Sequence, residues 1–284
     1  MPMRRHRLAM ALMEVPWLRP AIARFAGIVW PVFPRVESTW SLPFGVKDRG
    51  PQAIFRSIIR GADAFIDGGA NLGWYSCLAA VAGVGEIIAV EPVPQTARLL
   101  KHMARWNHFA RLRVLQCAMG DGRGTARFVV PDAPFPEMGH VGADGEGRAR
   151  DVQVLGLADV LGMLAAERRR IVVKLDVEGH ELTVVRGGVP GVFRDRIAGM
   201  MIEVHLGCFD EPVEALADLA GAIECIGSPM VMIPDDPGVG PLARFWRNAT
   251  GRFPLRPAAD EDVRRRVAAR EIREVYLLAR RAGG

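Results

Sequence analysis

Patterns of buried strands and amphipathic helices alternate along the chain from about residue 63 to residue 226. Short apolar runs end in glycine or acidic residues, and apolar residues at helical spacing follow them. Such alternation predicts an α/β architecture, with a mostly parallel sheet covered by helices on both faces. The predicted strands are Ala64–Ile66, Glu86–Val90, Leu112–Gln116, Ile171–Asp176 and Met200–Val204, and the predicted helices include Trp74–Ala82, one that starts near Pro94, Leu157–Glu167 and Glu181–Arg186.

Two segments depart from this alternation. Residues 119–156 hold two stretches of alternating apolar and polar residues around a Gly/Pro-rich stretch, which predicts a β insertion with a mobile loop. Residues 234–273 are rich in arginine and proline and predict a long loop with one helix near Glu261–Arg270. The final strands are expected at Met230–Ile233 and Glu274–Ala279. We therefore expect a basic N-terminal extension or cap at 1–50 and one α/β domain at 51–284.

Composition narrows the class of protein. The chain has 284 residues, 50% of them hydrophobic, and its net charge of +5 comes mainly from arginine. Four cysteines without a CxxC pair favour a reduced compartment, and so a cytoplasmic location, over a disulfide framework. The arginines are not interleaved with aromatic residues along one element, and no RNA-binding motif is present. We therefore expect no nucleic-acid partner.

The basic N-terminal segment predicts either a cap on the domain or contact with an anionic membrane surface. Residues 1–50 carry eight basic and three acidic side chains. Glu14 and Pro16 follow the apolar run Leu8–Met13, which is too short to span a bilayer and lacks the pattern of a signal peptide. We favour an amphipathic cap, and peripheral membrane contact is the alternative.

A glycine-rich turn after the first predicted strand supplies the first candidate site. It reads Asp67-Gly68-Gly69-Ala70-Asn71-Leu72-Gly73. Glycine lets the backbone approach a ligand closely, and ligands of open parallel sheets sit beyond the carboxyl ends of the strands. The residues that we assign to cofactor binding are Asp67, Gly69, Asn71 and Gly73, together with Glu91 at the end of the next strand.

Two classes of cofactor use such a turn. A dinucleotide fold requires Gly-x-Gly-x-x-Gly, but Ala70 occupies the middle glycine position. S-adenosylmethionine has an ammonium group, which suits Asp67, and two ribose hydroxyls, which suit Glu91. Charge-assisted hydrogen bonds of this kind contribute about 1.5–3 kcal/mol each. The turn therefore favours S-adenosylmethionine and methyl transfer, with a nicotinamide-dependent enzyme as the alternative.

A second motif follows the fourth predicted strand. Residues 171–187 read IVVKLDVEGHELTVVRG and bring Lys174, Asp176, Glu178 and Glu181 to one strand end. Ionisable groups crowded at such a place are unfavourable unless they are paired or used. Their location beyond the carboxyl end of a strand favours a functional site over a surface cluster of ion pairs.

Together, the motifs FIDGGANLGWYS and VVKLDVEGHELTVVRGG resemble the FkbM family of methyltransferases. The run Gly120-Asp121-Gly122 and the strand end Ile202–His205 match that family too, whereas His180 stands where a smaller residue is commoner. The resemblance implies a class I, Rossmann-like methyltransferase fold with seven strands, the last of them antiparallel. It also implies that Asp121 contacts the cofactor and that the enzyme methylates a hydroxyl of a glycan, a polyketide or a related secondary metabolite.

A hydroxyl acceptor benefits from a general base, which is worth about 10²–10⁴-fold in rate. The candidates are His205, Asp176, Glu178 and Glu203. We prefer His205, because its ordinary pKa lies near neutrality. Asp176 is the next choice, and its other role would be to orient Lys174 or the substrate.

Other interpretations stay open at this point. An N-methyltransferase is an alternative within the class, and a non-catalytic adaptor that docks through its basic ends is one outside it. The presence of both Asp67 and Glu91 argues against the adaptor, because an inactive site need not keep them. Four carboxylates could hold magnesium, but such spacing is common without metal and we predict none; they are Asp176, Glu178 and Glu181 of the second motif and Glu203 of the fifth predicted strand.

Overall fold

The computed structural model describes residues 22–25, 27–31, 49–130, 140–141, 148–188, 191–234 and 253–281. The strands are β1 (Ile22–Phe25), β2 (Ile28–Pro31), β3 (Ala64–Gly68), β4 (Glu86–Val90), β5 (Leu112–Leu115), β6 (Ala118–Gly120), β7 (Gly124–Val130), β8 (His140–Val141), β9 (Arg148–Gly156), β10 (Ile171–Leu175), β11 (Ile197–His205), β12 (Met230–Met232), β13 (Arg256–Pro257) and β14 (Glu274–Arg280). The helices are α1 (Arg49–Ile58), α2 (Trp74–Val81), α3 (Pro94–Trp106), α4 (Leu157–Leu161), α5 (Glu181–Arg186), α6 (Gly191–Arg194), α7 (Pro212–Ile223) and α8 (Glu261–Ala268), with a 3₁₀ turn at Leu206–Cys208.

The larger sheet has the strand order β13-β12-β14-β11-β10-β3-β4-β5. The strands β5, β4, β3, β10 and β11 are parallel, and β14 runs antiparallel to β11. The predicted α/β fold, with a mostly parallel sheet and an antiparallel last strand, is confirmed. The described sheet has eight strands where seven were expected, because the two-residue strand β13 pairs with β12 at the edge.

Apolar side chains on both faces of this sheet form the core. In β10, Ile171, Val173 and Leu175 pack into one hydrophobic cluster, whereas Val172 packs into another. Successive side chains of a strand point to opposite faces, so both faces of the sheet are covered. The near-continuous apolar sequence of β10 is what a parallel strand buried on both sides requires.

A second sheet, with the strand order β6-β9-β7-β8, occupies the region predicted as a β insertion. The ladder between β7 and β9 is antiparallel and runs from the pair Gly124 and Val154 to the pair Val130 and Arg148. The strand β6 follows β5 after a short connection. This sheet therefore begins where the third parallel strand of the larger sheet ends. Residues 131–139 and 142–147, where a mobile loop was expected, lie outside the described residues.

The described part of the N-terminal segment includes a small antiparallel hairpin, β1 and β2. Trp30 packs edge-on against Trp74, with ring centroids 5.1 Å apart. The backbone of Val29 forms two hydrogen bonds with the side chain of Asn107, at the end of α3. The hairpin thus packs on the domain, whereas residues 1–21 lie outside the described residues. None of the helices that the structure describes is long and apolar enough to cross a bilayer.

The bounds of two helices differ from those predicted from the sequence. The helix predicted at Leu157–Glu167 ends at Leu161, because the next residue is Gly162 and glycine is a poor helix former. In the segment predicted as a long loop, α8 begins after Asp260, whose side chain accepts hydrogen bonds from two N–H groups of the first turn. Residues 235–252 of that segment lie outside the described residues.

Candidate active site

A cavity opens beyond the carboxyl ends of β3, β4 and β10, where the strand order changes direction between β3 and β10. Its space, counted together with the part at its mouth that is open to solvent, is about 590 Å³. Its polar lining comes from the glycine-rich turn and the end of β4, with Asn71 and Glu91, and from the turn after β10, with Asp176, Glu178 and His180. Open α/β sheets bind their ligands at this position.

The glycine-rich turn follows a backbone path that side chains would block. Gly69 has φ +70°, and a Cβ there would lie 1.7 Å from the carbonyl oxygen of Asp176. Gly73 has φ +84°, and a Cβ there would lie 2.0 Å from Cδ1 of Leu100. Gly69 lines the cavity, whereas Gly73 precedes α2 and packs against α3. The two glycines therefore allow close approach of β3 to β10 and of α2 to α3.

Three consecutive N–H groups of this turn, at residues 69–71, have partners within the protein. Those of Gly69 and Ala70 donate to the carbonyl oxygen of Val90, at 3.0 and 2.9 Å. The N–H of Asn71 donates to Oε2 of Glu91 at 2.9 Å. A pyrophosphate on a dinucleotide fold depends on free amides at this position. The turn therefore suits a cofactor without phosphate groups.

Glu91 is a buried carboxylate at the end of β4. Its Oε2 accepts the hydrogen bond from Asn71, and its Oε1 accepts one from the N–H of Val93 at 2.8 Å. Burial raises the pKa of Glu91 to about 7, although the two hydrogen bonds act to lower it. The remaining lone pairs can accept hydrogen bonds from hydroxyls such as those of a ribose. No lysine or arginine is among the described residues that line the cavity, so the lining fits S-adenosylmethionine.

Asp67 and Lys174 are paired in the interior and are not among the lining residues. Asp67 is fully buried, and its Oδ2 accepts a hydrogen bond from the hydroxyl of Ser76 at 2.6 Å. The Lys174 ammonium lies 3.7 Å from Oδ1 of Asp67 and 3.0 Å from Oδ2 of Asp176. Burial raises the pKa of Asp67, and Lys174 opposes that shift. Of these charged groups, Asp176 is the one that reaches the cavity.

A second cluster of ionisable side chains at the site consists of Glu178, His205 and Glu181. Nδ1 of His205 lies 3.0 Å from Oε1 of Glu181, and Nε2 lies 3.5 Å from Oε2 of Glu178. Burial lowers the pKa of His205, but the hydrogen bond to Glu181 and the nearby carboxylates raise it to about 9 overall. Burial also raises the pKa of Glu178 to about 7, against the opposing effect of His205. His205 is therefore a cation at neutral pH, and Glu178 has a pKa near neutrality.

Like Asp67, Lys174, Gly73 and His205, two more of the predicted residues, Asp121 and Glu203, are not among the described residues that line the cavity. Asp121 is exposed in the turn between β6 and β7, and its backbone packs so closely that a Cβ at Gly187 would lie 2.4 Å from its carbonyl oxygen. Glu203 lies on β11 and pairs with Tyr276 of β14. Neither is among the described residues that line the cavity, so the structure does not bring them to the cavity wall with Glu91 and Asp176.

Sequence reasoning missed an apolar wall of the cavity. This wall comprises Val93 after β4, Cys117 to Met119 around the start of β6, and Phe128 of β7. The sequence carries a partial signal for it, because residues after the third parallel strand must border the same edge of the sheet. Apolar lining of this kind suits an aromatic ring such as adenine.

Two groups of side chains are close enough to surround a cation. Single atoms of Asp176, Glu178 and His205 lie within 4.8 Å of one another, as do those of Glu203, His205 and Glu274. Both groups include His205, which keeps its proton at neutral pH because its pKa is raised to about 9. An imidazolium has no free lone pair for a metal. A metal ion at either group would have to displace that proton, and the expectation of no metal stays a prediction.

Strand order and cavity together define a class of protein. Parallel strands in the order β5-β4-β3-β10-β11, extended by the antiparallel β14 and then β12, form the sheet of class I methyltransferases. The acidic cavity at the switch between β3 and β10 lies where open α/β sheets bind their ligands. The Methyltransferase FkbM domain matches residues 67–220, more than half of the chain. The chain belongs to the FkbM methyltransferase family, as its two motifs indicated, and is an S-adenosylmethionine-dependent methyltransferase.

Two solved methyltransferase structures are similar to the chain at low sequence identity. The human methyltransferase 10 domain containing protein is 11% identical with a TM-score of 0.44, and the match covers 99% of this chain and 96% of that one. Precorrin-6y C5,15-methyltransferase from Geobacter metallireducens is 13% identical with a TM-score of 0.37, and the match covers 81% of this chain and 87% of that one. Among curated protein sequences, none matches the chain significantly.

Proposed function

We propose that this chain transfers a methyl group to a hydroxyl oxygen of a glycan or secondary metabolite. The observation that carries the proposal is Glu178, a cavity-lining carboxylate whose pKa is raised to about 7 by burial. A hydroxyl loses its proton when it is methylated, and a general base is most effective when its pKa lies near the working pH. A neutral amine can attack before it loses a proton and depends less on such a group, so we favour oxygen over nitrogen.

The side chains of the cavity wall would hold the cofactor. When bound, S-adenosylmethionine supplies a methyl group that its sulfonium already activates. Glu91 offers its carboxylate to the ribose hydroxyls, and the apolar wall offers surface to the adenine. Asp176, whose Oδ2 lies 3.0 Å from the Lys174 ammonium, offers a carboxylate to the ammonium group of the cofactor. Asp67, which the sequence assigned to that group, would act from the interior by pairing with Lys174.

The proton of the acceptor would pass to Glu178. The imidazolium of His205, 3.5 Å from Oε2 of Glu178, stabilises the carboxylate form that accepts the proton. His205 itself, preferred as the base on its ordinary pKa, would act mainly as this cationic partner. His180 lines the same wall, and its buried Nδ1 has no hydrogen-bond partner among the described residues. We assign that nitrogen to the acceptor.

The proposal also includes the cellular location of the enzyme and the class of its acceptor. All four cysteines, which the structure describes, are free, and this supports action in the reducing cytoplasm. The acceptor would be a small molecule or glycan and not a nucleic acid. Peripheral membrane contact through residues 1–50 is the complementary proposal for the basic N-terminus, and it can be measured by co-sedimentation with anionic vesicles.

A labelled-methyl assay tests the proposal. The protein is incubated with S-adenosylmethionine carrying a tritiated methyl group and with extract of the source organism, and labelled products are identified by mass spectrometry. A methyl ether supports the proposal, whereas a methylated amine overturns the oxygen assignment. Glu178→Gln should lower incorporation by about 10²-fold or more while leaving the calorimetric affinity for S-adenosylhomocysteine unchanged. Glu214→Gln, at an exposed carboxylate of α7, is the matched control.

A further inference from the structure

Glu181 is a fully buried carboxylate at the start of α5. Its Oε1 accepts hydrogen bonds from the N–H groups of Val177 and Gly179, at 3.3 and 3.0 Å. The same oxygen lies 3.0 Å from Nδ1 of His205. A buried charge is unfavourable unless hydrogen bonds and opposite charge compensate it, and these contacts supply both. One oxygen atom therefore joins the turn after β10 to the histidine at the end of β11.

The turn that Glu181 holds forms part of the cavity wall, because Val177 and Glu178 line the cavity. Glu178 has φ +51° and Gly179 has φ +91°, so both are left-handed. A Cβ at Gly179 would lie 2.7 Å from Cβ of Cys208. A left-handed conformation at a residue other than glycine is strained and persists only when its surroundings hold it. The hydrogen bonds to Glu181 on either side of Glu178 supply that restraint.

The same carboxylate fixes the ring of His205. With Nδ1 directed at Glu181, Nε2 faces Oε2 of Glu178 at 3.5 Å. The partner of one ring nitrogen sets which way the other nitrogen points. A rotated ring would lose its buried hydrogen bond to Glu181 and its contact with Glu178. The proposed proton acceptor, Glu178, and its cationic partner, His205, form the proton-accepting pair. The positions of both side chains therefore depend on Glu181.

We propose that Glu181 is a positioning residue that locks the Val177–Gly179 turn and the His205 ring into one unit. The unit keeps the cofactor wall and the proton-accepting pair at a fixed separation. Glu181 is not among the described residues that line the cavity, so it acts through its neighbours. The inference rests on the proposed function, because it assigns this unit to methyl transfer onto a hydroxyl.

Two substitutions separate the contacts of Glu181. Glu181→Gln keeps a carbonyl oxygen for the turn and the ring but removes the charge. Glu181→Met has a similar length but offers no such acceptor, and Glu214→Gln is the surface control. Each full-length variant is checked for folding by circular dichroism and thermal melting. Calorimetry with S-adenosylhomocysteine reports on the cavity wall, and NMR of ¹⁵N-histidine protein reports on the ring, with His205→Gln to assign its signal.

The wild-type His205 N–H signal should lie at low field and exchange slowly with water, because its hydrogen bond to Glu181 is buried. Glu181→Gln should retain S-adenosylhomocysteine affinity within about twofold and move the signal upfield, whereas Glu181→Met should weaken affinity at least about tenfold and lose the signal. Wild-type affinity or an unchanged His205 signal in folded Glu181→Met protein overturns the proposal.

If the Glu181→Met protein does not fold, the Glu181→Gln variant alone tests the proposal. An unmoved His205 signal in that variant overturns the proposal, and a moved signal with retained affinity supports it. Neither measurement uses a methyl acceptor. A labelled-methyl assay that yields methylated amines would therefore refute the hydroxyl assignment without affecting this test.

Discussion

Replacement of Lys174 by methionine would leave a buried carboxylate without its counter-charge. The Lys174 ammonium lies 3.7 Å from Asp67 and 3.0 Å from Asp176, and at an effective dielectric constant of about 20 each attraction is worth about 4–6 kcal/mol before desolvation is counted. Asp67 is fully buried and would keep the hydroxyl of Ser76 as its hydrogen-bond donor. Removal of one partner of a buried ion pair costs about 3–5 kcal/mol, so we expect Lys174→Met to lower the free energy of unfolding by that amount.

The pH dependence and a second substitution make this prediction specific. Burial already raises the pKa of Asp67, and loss of the lysine would raise it further. A group whose pKa is higher in the folded state than in the unfolded state loses its stabilising contribution as the pH rises through the folded pKa. The defect of Lys174→Met should therefore be smaller at acidic pH than at neutral pH. Asp67→Asn with Lys174→Met removes both charges and should regain most of the lost stability.

Urea unfolding followed by tryptophan fluorescence, at about pH 5 and about pH 8, measures these free energies. A Lys174→Met protein within about 1 kcal/mol of wild type would refute the reasoning. A double variant no more stable than the single variant would refute it as well. The double variant should still bind S-adenosylhomocysteine more weakly than wild type, because Asp176 has lost the partner at 3.0 Å that orients it.

Three further predictions concern the cavity. Glu91→Ala should weaken S-adenosylhomocysteine binding by about 10²-fold or more in calorimetry, because two charge-assisted hydrogen bonds at about 1.5–3 kcal/mol each are lost; unchanged affinity would remove Glu91 from the ribose contact. Gly69→Ala should destabilise the protein by about 1–3 kcal/mol in urea unfolding, since its Cβ would collide with the carbonyl of Asp176, whereas Gly122→Ala, which meets nothing within 4 Å, should be neutral. The rate of methyl transfer should fall as the pH drops below about 7, because Glu178 then takes up a proton; a rate that is flat across neutral pH would contradict that role.

The parts of the fold that can be predicted from the sequence are those that local periodicity encodes. The strands β3, β4 and β10 are apolar runs buried on both faces, so their positions follow from the residues alone. The two-residue strand β13 and the hairpin of β1 and β2 carry too few residues for a period, and tertiary contacts such as that of Trp30 with Trp74 define them. Sequence reasoning therefore finds the sheet and its carboxyl edge, and misses the additions to it.

At the site, the sequence identifies the edge of the sheet but not the direction of each side chain. Glu91, Asp176 and Glu178, which follow their strands, line the cavity, and their roles stay predictions. Asp67 ends a strand in the same way, yet it points into the interior, because Lys174 is its register partner on the neighbouring strand and Ser76 binds its other oxygen. That choice depends on packing between strands far apart in the chain, which no single segment encodes.

The occupied amides of the glycine-rich turn bear on how cofactor class evolves in folds of this kind. Ala70→Gly would complete the spacing Gly-x-Gly-x-x-Gly at positions 68, 70 and 73. The N–H groups of Gly69 and residue 70 would nevertheless go on donating to Val90, on the neighbouring strand. The spacing of glycines shows where the backbone can bend, whereas anion binding depends on which backbone N–H groups have no hydrogen-bond partner within the sheet. A single substitution can thus give this chain the glycine spacing of a dinucleotide-binding fold without giving its turn the free N–H groups that a dinucleotide needs.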